Sequence, residues 1–147
     1  MVEVYRSDVI PASVERVWRT IRDFNALPMW TPFVADSRIE AMEKSDRIGC
    51  VRNFKLRDGG TIREQLLALD DQNRSCTYSI LEAPMNVSNY VATFKLSPIT
   101  VGGHTFAEWS ANFDCPEPEE AALVRLVGDD VFASAFAHLR KRFGATT

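Results

Sequence analysis

The sequence predicts an α+β fold in which a bent antiparallel sheet wraps a long helix. Three observations predict it: a short apolar strand runs straight into an amphipathic helix, a long series of period-two segments follows, and a helix of about 24 residues closes the chain. A chain of 147 residues has the size of one domain and should bury roughly 70% of its unfolded surface, enough for a core without staples. The segments show no internal repeat or linker, so residues 1–147 are expected to form a single domain.

Taken in order, residues Val2 to Ile10 read as a strand ended by Pro11. Ser13 suits a helix N-cap and Glu15 the first turn, where negative charge is favoured. Val14, Val17, Trp18 and Ile21 share one face of that helix, with Asp23 and Asn25 marking its end. Asn25 to Trp30 reads as a second short helix, interrupted near Pro28 and stopped by Pro32. The period then changes to two: strands are expected at Phe33 to Glu43, Ile48 to Arg57, Thr61 to Leu69, Arg74 to Glu82, Val87 to Ser97 (ended by Pro98) and His104 to Asp114. Strands joined by short turns pair as antiparallel neighbours. The closing helix starts at Glu119 or Glu120, reaches Phe143 and presents Val124, Val127, Val131, Phe132, Ala135, Leu139 and Phe143 as its apolar stripe.

Register decides which side chains face inward. If Asp58-Gly59 alone made the turn, Phe54 would share a face with Thr61 and Arg63. A three-residue loop, Asp58-Gly59-Gly60, instead sets Leu56 opposite Ile62, Phe54 opposite Glu64 and Arg52 opposite Leu66, which gathers the apolar residues on one side. Arg52 and Glu64 then become diagonal neighbours, roughly 7–8 Å apart at the backbone, and should form an ion pair, since a lone buried charge costs several kcal/mol. Tyr78 and Ile80, Tyr90 with Ala92, Phe94 and Leu96, and Trp109 with Ala111 and Phe113 form the other inward sets. An inner face that carries Arg52, Glu64, Tyr78, Tyr90 and Trp109 is not purely apolar and suggests a cavity, with Ala92 and Ala111 leaving room beside the aromatics.

Composition excludes several function classes. The net charge of −3 gives no broad cationic face for a nucleic acid, and the one basic run, Arg140-Lys141-Arg142, falls where cations complement a helix C-terminus. No apolar run approaches the ~20 residues of a membrane span, and the first residues lack the apolar segment of a secretory leader. Cys50, Cys76 and Cys115 are odd in number and lack metal-type spacing, which suggests free thiols in a reducing cytoplasm. His104 and His138 stand on different elements, so no metal, no cofactor and no histidine-based nucleophilic site is expected. Gly59-Gly60 and Gly102-Gly103 read as hairpin turns rather than phosphate-binding loops.

The residues taken together resemble the SRPBCC, or START-like (Bet v 1-like), helix-grip superfamily, and within it the polyketide cyclase/dehydrase and lipid-transport branch. The resemblance is carried by Ile10-Pro11-Ala12 through Val17-Trp18, Asp23-Phe24, Trp30, Gly49-Cys50-Val51-Arg52, Asp58-Gly59, Arg63-Glu64, Tyr78, Tyr90 and Glu108-Trp109, and it covers essentially the whole chain. It implies a curved seven-stranded sheet gripping a long C-terminal helix, two short helices after the first strand, and an internal cavity for hydrophobic small molecules. The glycine-rich loop of plant members is absent: residues 44–49 hold one glycine. Members range from passive carriers and sensors to cyclases and protein-binding regulators, so the fold sets the container and not the reaction.

The expected function is therefore binding of a hydrophobic or aromatic small molecule, with Trp30, Arg52, Phe54, Glu64, Tyr78, Tyr90, Phe94 and Trp109 as its contacts. The alternative is a metal-free cyclase or dehydratase that uses Glu64, Arg52 and Tyr78 for acid–base chemistry, and a second alternative is a protein-binding regulator. The expected assembly state is a monomer or weak homodimer.

Overall fold

The computed structural model describes residues 1–144. Seven strands form one antiparallel sheet: β1 (Val2–Ile10), β2 (Val34–Ile39), β3 (Val51–Leu56), β4 (Thr61–Asp70), β5 (Ser75–Glu82), β6 (Ser88–Ile99) and β7 (His104–Asp114). Their order is β1-β7-β6-β5-β4-β3-β2, so the first strand pairs with the last while the rest run as a meander. Helices α1 (Val14–Ile21) and α2 (Leu27–Trp30) connect β1 to β2. The closing helix, α3, crosses the inner face in three stretches: α-helical Glu120–Arg125, π-helical Leu126–Ala133 and α-helical Ser134–Gly144.

Local chemistry explains the boundaries. Ser13 caps α1 by accepting from the Arg16 N–H at 3.4 Å, and Val14, Val17, Trp18 and Ile21 are buried. Pro28 lies in the first turn of α2, where its missing N–H has no helical partner to lose, so it starts the short helix instead of interrupting it. β2 stops at Ile39, short of Glu43, because Glu40–Met42 turns as a 3-10 helix with Ala41 and Met42 at positive φ. β3 begins at Val51 rather than Ile48, since the Cys50 N–H folds back onto the Arg47 carbonyl. Pro98 sits inside β6, opposite Thr105, and does not end the strand: β5 pairs only up to Lys95, so Pro98 has one neighbouring strand and its missing donor is tolerated.

The β3–β4 hairpin differs from its expected register. The loop is Arg57-Asp58-Gly59, with Gly59 at φ +101°, the Gly59 N–H donating to the Leu56 carbonyl at 3.0 Å and the Leu56 N–H to Gly60 at 2.8 Å. The Asp58 carboxylate accepts from the Gly60 N–H at 3.0 Å, which fixes the turn one residue earlier than the two glycines suggest. Phe54 therefore faces Ile62 and Arg52 faces Glu64 directly, not diagonally. A slip of two residues leaves every side chain on its expected face.

The core lies between the sheet and α3. Val4, Leu66, Leu96, Phe113, Phe132, Phe136 and Leu139 are fully buried, each worth about 1.5–3 kcal/mol of apolar burial. The stripe on α3 also takes in Leu123 and Phe136, while Val124 and Val131 are only half-buried. The π-helical stretch is the reason: its wider turn, marked by the Ser134 N–H donating to the Asp129 carbonyl, adds a residue between Val127 and Phe132 and shifts the stripe.

Candidate ligand-binding site

The inner face holds two spaces of very different size. The larger, about 400 Å³, lies between the β3–β4 hairpin, the inner side of β4 to β6 and the π-helical stretch of α3. Phe33, Phe54, Leu56, Ile62, Ile80 and Tyr90 form its sheet side with Glu64 and Tyr78, and Leu126, Val127 and Val131 close it from the helix. Arg57, Asp58 and Asp130 bring the charges at its rim. Its volume falls within the range of small-molecule pockets, and its walls are mostly apolar with few polar groups, as such pockets are built. The smaller space, about 20 Å³, is a recess among Trp18, Phe24, Trp30, Arg52, Cys76, Tyr78, Phe94 and Trp109.

The eight residues expected to contact a ligand are all buried, and the structure divides them. Phe54, Glu64, Tyr78 and Tyr90 line the large cavity. Trp30, Arg52, Phe94 and Trp109 stand around the small recess instead. Trp109 stacks on Phe132 at 4.2 Å and 15°, meets Phe94 edge-on at 5.2 Å and lies 5.4 Å from Trp30, and Phe136 packs beside it. These rings fill that end of the sheet. Ala92 and Ala111 face each other across β6 and β7, both fully covered, so the room they were expected to leave is not at their position. The Trp30 Nε1–H is the one buried side-chain polar atom among the described residues with no hydrogen-bond partner.

Arg52 and Glu64 form the partition between the two spaces. Arg52 Nη2 lies 2.6 Å and Nε 2.8 Å from the same carboxylate oxygen, Glu64 Oε1, and Nη1 donates to the Phe24 carbonyl at 3.1 Å. The guanidinium carbon sits 4.0 Å from the centroid of Phe24 and 4.8 Å from that of Tyr78, a cation–π arrangement from two rings. Arg52 is thus held on every side by the protein. Glu64 is not: its second oxygen, Oε2, has no protein partner among the described residues and belongs to the cavity wall.

Burial sets the proton chemistry here. It pushes the Glu64 carboxyl above the ordinary carboxylate range, while the Arg52 charge and hydrogen bonds pull the other way and only partly offset it. Burial foremost, and then the Glu64 charge, raise the Tyr78 and Tyr90 hydroxyls far above their ordinary value, so both remain neutral donors. Tyr78 accepts from Trp109 Nε1–H at 3.0 Å, which leaves its own proton free to donate. The Tyr90 hydroxyl has no protein partner among the described residues. Burial also raises the Cys76 thiol to about 11, which makes it a poor nucleophile. Cys50, Cys76 and Cys115 are all free thiols. No cluster of three or more metal-ligating side chains occurs among the described residues.

Sequence reasoning missed the helix side of the cavity, Leu126, Val127, Asp130 and Val131, along with Leu56, Ile62, Pro84 and Met85. One signal was available: α3 carries Phe132 and Phe136 in its second half but only Leu and Val at 126, 127 and 131.

Comparison with known proteins agrees with this architecture. The family model described as "Polyketide cyclase / dehydrase and lipid transport" matches residues 1–144, and the chain belongs to that family. Among solved structures, the protein XoxI from Bacillus cereus is 31% identical with a TM-score of 0.87, over 97% of this chain and 96% of its own. A protein from Thermobifida fusca is 27% identical with a TM-score of 0.89, over 99% of this chain and 95% of its own. A START superfamily protein from Mycobacterium smegmatis, 15% identical over 99% of both chains with a TM-score of 0.79, shares the fold. None of the curated proteins matches the chain. No helix among the described residues is long and apolar enough to cross a membrane.

Proposed function

We propose that this chain binds a hydrophobic small molecule that enters the 400 Å³ cavity with a hydroxyl-type group at its inner end. One observation carries the reading: in an otherwise apolar wall, Glu64 Oε2 and the Tyr90 hydroxyl have no protein partner among the described residues and are left to the cavity. An apolar ligand that covered either group without offering it a partner would lose about 1–3 kcal/mol. A ligand hydroxyl can donate to Glu64 and accept from Tyr90, which gives both a partner as the ligand covers them. The apolar walls supply the rest of the affinity, about 25 cal/mol for each Å² they cover. Phe54, Glu64, Tyr78 and Tyr90 are the contacts in this reading, and Trp30, Arg52, Phe94 and Trp109 support them from behind. The three free thiols favour a reducing compartment such as the cytoplasm, and a monomer or weak homodimer suffices because one chain encloses the cavity.

Native mass spectrometry of the protein as purified from its source, followed by extraction of what it carries, tests this directly. The expected result is a bound apolar molecule with a hydroxyl group. A protein that emerges empty and fails to bind apolar fluorescent probes saturably contradicts the reading.

A second reading is favoured by the raised Glu64 carboxyl beside two neutral tyrosines. Glu64 would take a proton from carbon next to a carbonyl while Tyr78 or Tyr90 donates a hydrogen bond to the oxygen that gains charge, a step suited to cyclisation or dehydration. Turnover of such a substrate, with Glu64→Gln lowering kcat far more than binding, is what this reading requires.

A further inference from the structure

A separate surface groove lies at the far end of α3, about 17 Å along the helix from Val131 at 1.5 Å per residue. Arg16 and Arg19 from α1 and Arg142 from α3 line one groove of about 410 Å³, with Thr20 and Phe143 beneath them. The chain has thirteen arginines. Seven of them, Arg6, Arg22, Arg47, Arg52, Arg63, Arg74 and Arg140, make ion pairs with carboxylates. Among the described residues the other six make none, and three of these, Arg16, Arg19 and Arg142, share the groove, although the protein is acidic overall. Arg16 instead lies over the Phe143 ring at 5.5 Å, and Arg142 gives one N–H to the Met29 carbonyl at 3.3 Å.

Complementing the helix dipole does not account for this trio. That effect covers Arg19 and Arg142, each in the last turn of its own helix, but not Arg16 in the first turn of α1, nor the convergence of all three on one groove. Three like charges lining one groove repel one another unless an anion sits between them. The donor set indicates which anion. A single carboxylate matches one guanidinium fork, but a phosphate group offers three strong acceptor oxygens and close to two negative charges, which three arginines can share. The Thr20 hydroxyl already donates to the Arg16 carbonyl, so the guanidiniums are the groove's donors.

We propose that the groove formed by Arg16, Arg19 and Arg142 binds a phosphate-bearing ligand, independently of the internal cavity. The phosphate can come free in solution or as a lipid headgroup, and the test separates the two. Inorganic phosphate and pyrophosphate are titrated calorimetrically at low ionic strength, and sedimentation is measured with phosphatidylcholine vesicles with and without phosphatidic acid. Saturable pyrophosphate binding without vesicle binding assigns a free phosphate; sedimentation only with phosphatidic acid assigns a headgroup. In either case Arg16→Gln/Arg19→Gln/Arg142→Gln should weaken binding by about tenfold or more, a loss of about 1.4 kcal/mol. The double variant Arg16→Gln/Arg19→Gln, which leaves the Arg142–Met29 contact in place, should show a large part of that loss. Apolar-probe binding in the cavity should stay unchanged in both variants. The proposal is overturned if neither phosphate nor anionic vesicles bind, or if folded variants bind them as well as the parent protein does.

Discussion

The two halves of the inner face use the same strands and the same closing helix, yet one is filled and the other is open. Where the π-helical stretch of α3 ends and the regular helix resumes, Phe132 and Phe136 meet Trp109 and Phe94, Trp30 packs on those two rings, and the space closes down to about 20 Å³. Where α3 is π-helical, Leu126, Val127 and Val131 face Ile62, Ile80 and Tyr90, and about 400 Å³ stays unfilled. The Arg52–Glu64 pair stands on the boundary, with its cation embedded in the filled half and its carboxylate turned to the open one. The lesson is that a curved sheet becomes a container only where the opposite layer lacks bulk.

Substitutions in the two halves should therefore have opposite signatures. The largest effects belong to the filled half and its boundary. Trp109→Ala should cost about 3–5 kcal/mol of stability by leaving a cavity among the rings, with a lowered Tm. Affinity for an apolar probe should change little, because Trp109 does not line the large cavity. Arg52→Met leaves Glu64 buried without its counter-charge and should also cost about 3–5 kcal/mol; urea unfolding of Arg52→Met/Glu64→Leu should show much of that loss restored.

Smaller effects sharpen the contrast. Tyr90→Phe should leave stability nearly unchanged, since its hydroxyl has no protein partner among the described residues, yet weaken a hydroxyl-bearing ligand by about 1 kcal/mol, roughly fivefold, in a titration. The smallest effect lies outside both halves. Arg63, and then Asn53, hold the Glu40 carboxyl down at about 2, below its usual 4.5. A lowered carboxylate stabilises the fold above its unfolded value, so this contribution is complete above about pH 4.5 and fades as pH falls towards 2. Both side chains are partly exposed, which limits it to about 1 kcal/mol, and Glu40→Gln should flatten the acid limb of a stability–pH curve by that amount.

Much of this fold is legible in the sequence because one-sided burial forces alternation. Tyr90, Ala92, Phe94 and Leu96 declare their face with no help from the rest of the molecule. The hairpin register is less legible. Loops starting at Arg57 or at Asp58 both place a glycine where positive φ is required, and both keep Arg52 and Glu64 inward. The π-helical stretch is not written locally at all. It depends on tertiary contact: Arg6 from β1 pairs with Asp129 and crosses Gly128 so closely that a Cβ there would lie 2.5 Å from the guanidinium. For the site, alternation identified inward residues, but whether an inward residue meets a partner or a space is decided by α3, and this is why Trp30 and Trp109 read as ligand contacts although rings enclose them.

The most direct test of this division is to fill the open half. Ile80 is half-buried on the cavity wall in β5, a strand that accepts large aromatics, so Ile80→Trp should fold normally while taking up the free volume. Titration of a fluorescent apolar probe into this variant, beside the parent protein, should show binding abolished in the variant and saturable in the parent. Equal affinity in a folded Ile80→Trp would contradict the account, because the ligand would then be held somewhere other than the space beneath the π-helical stretch.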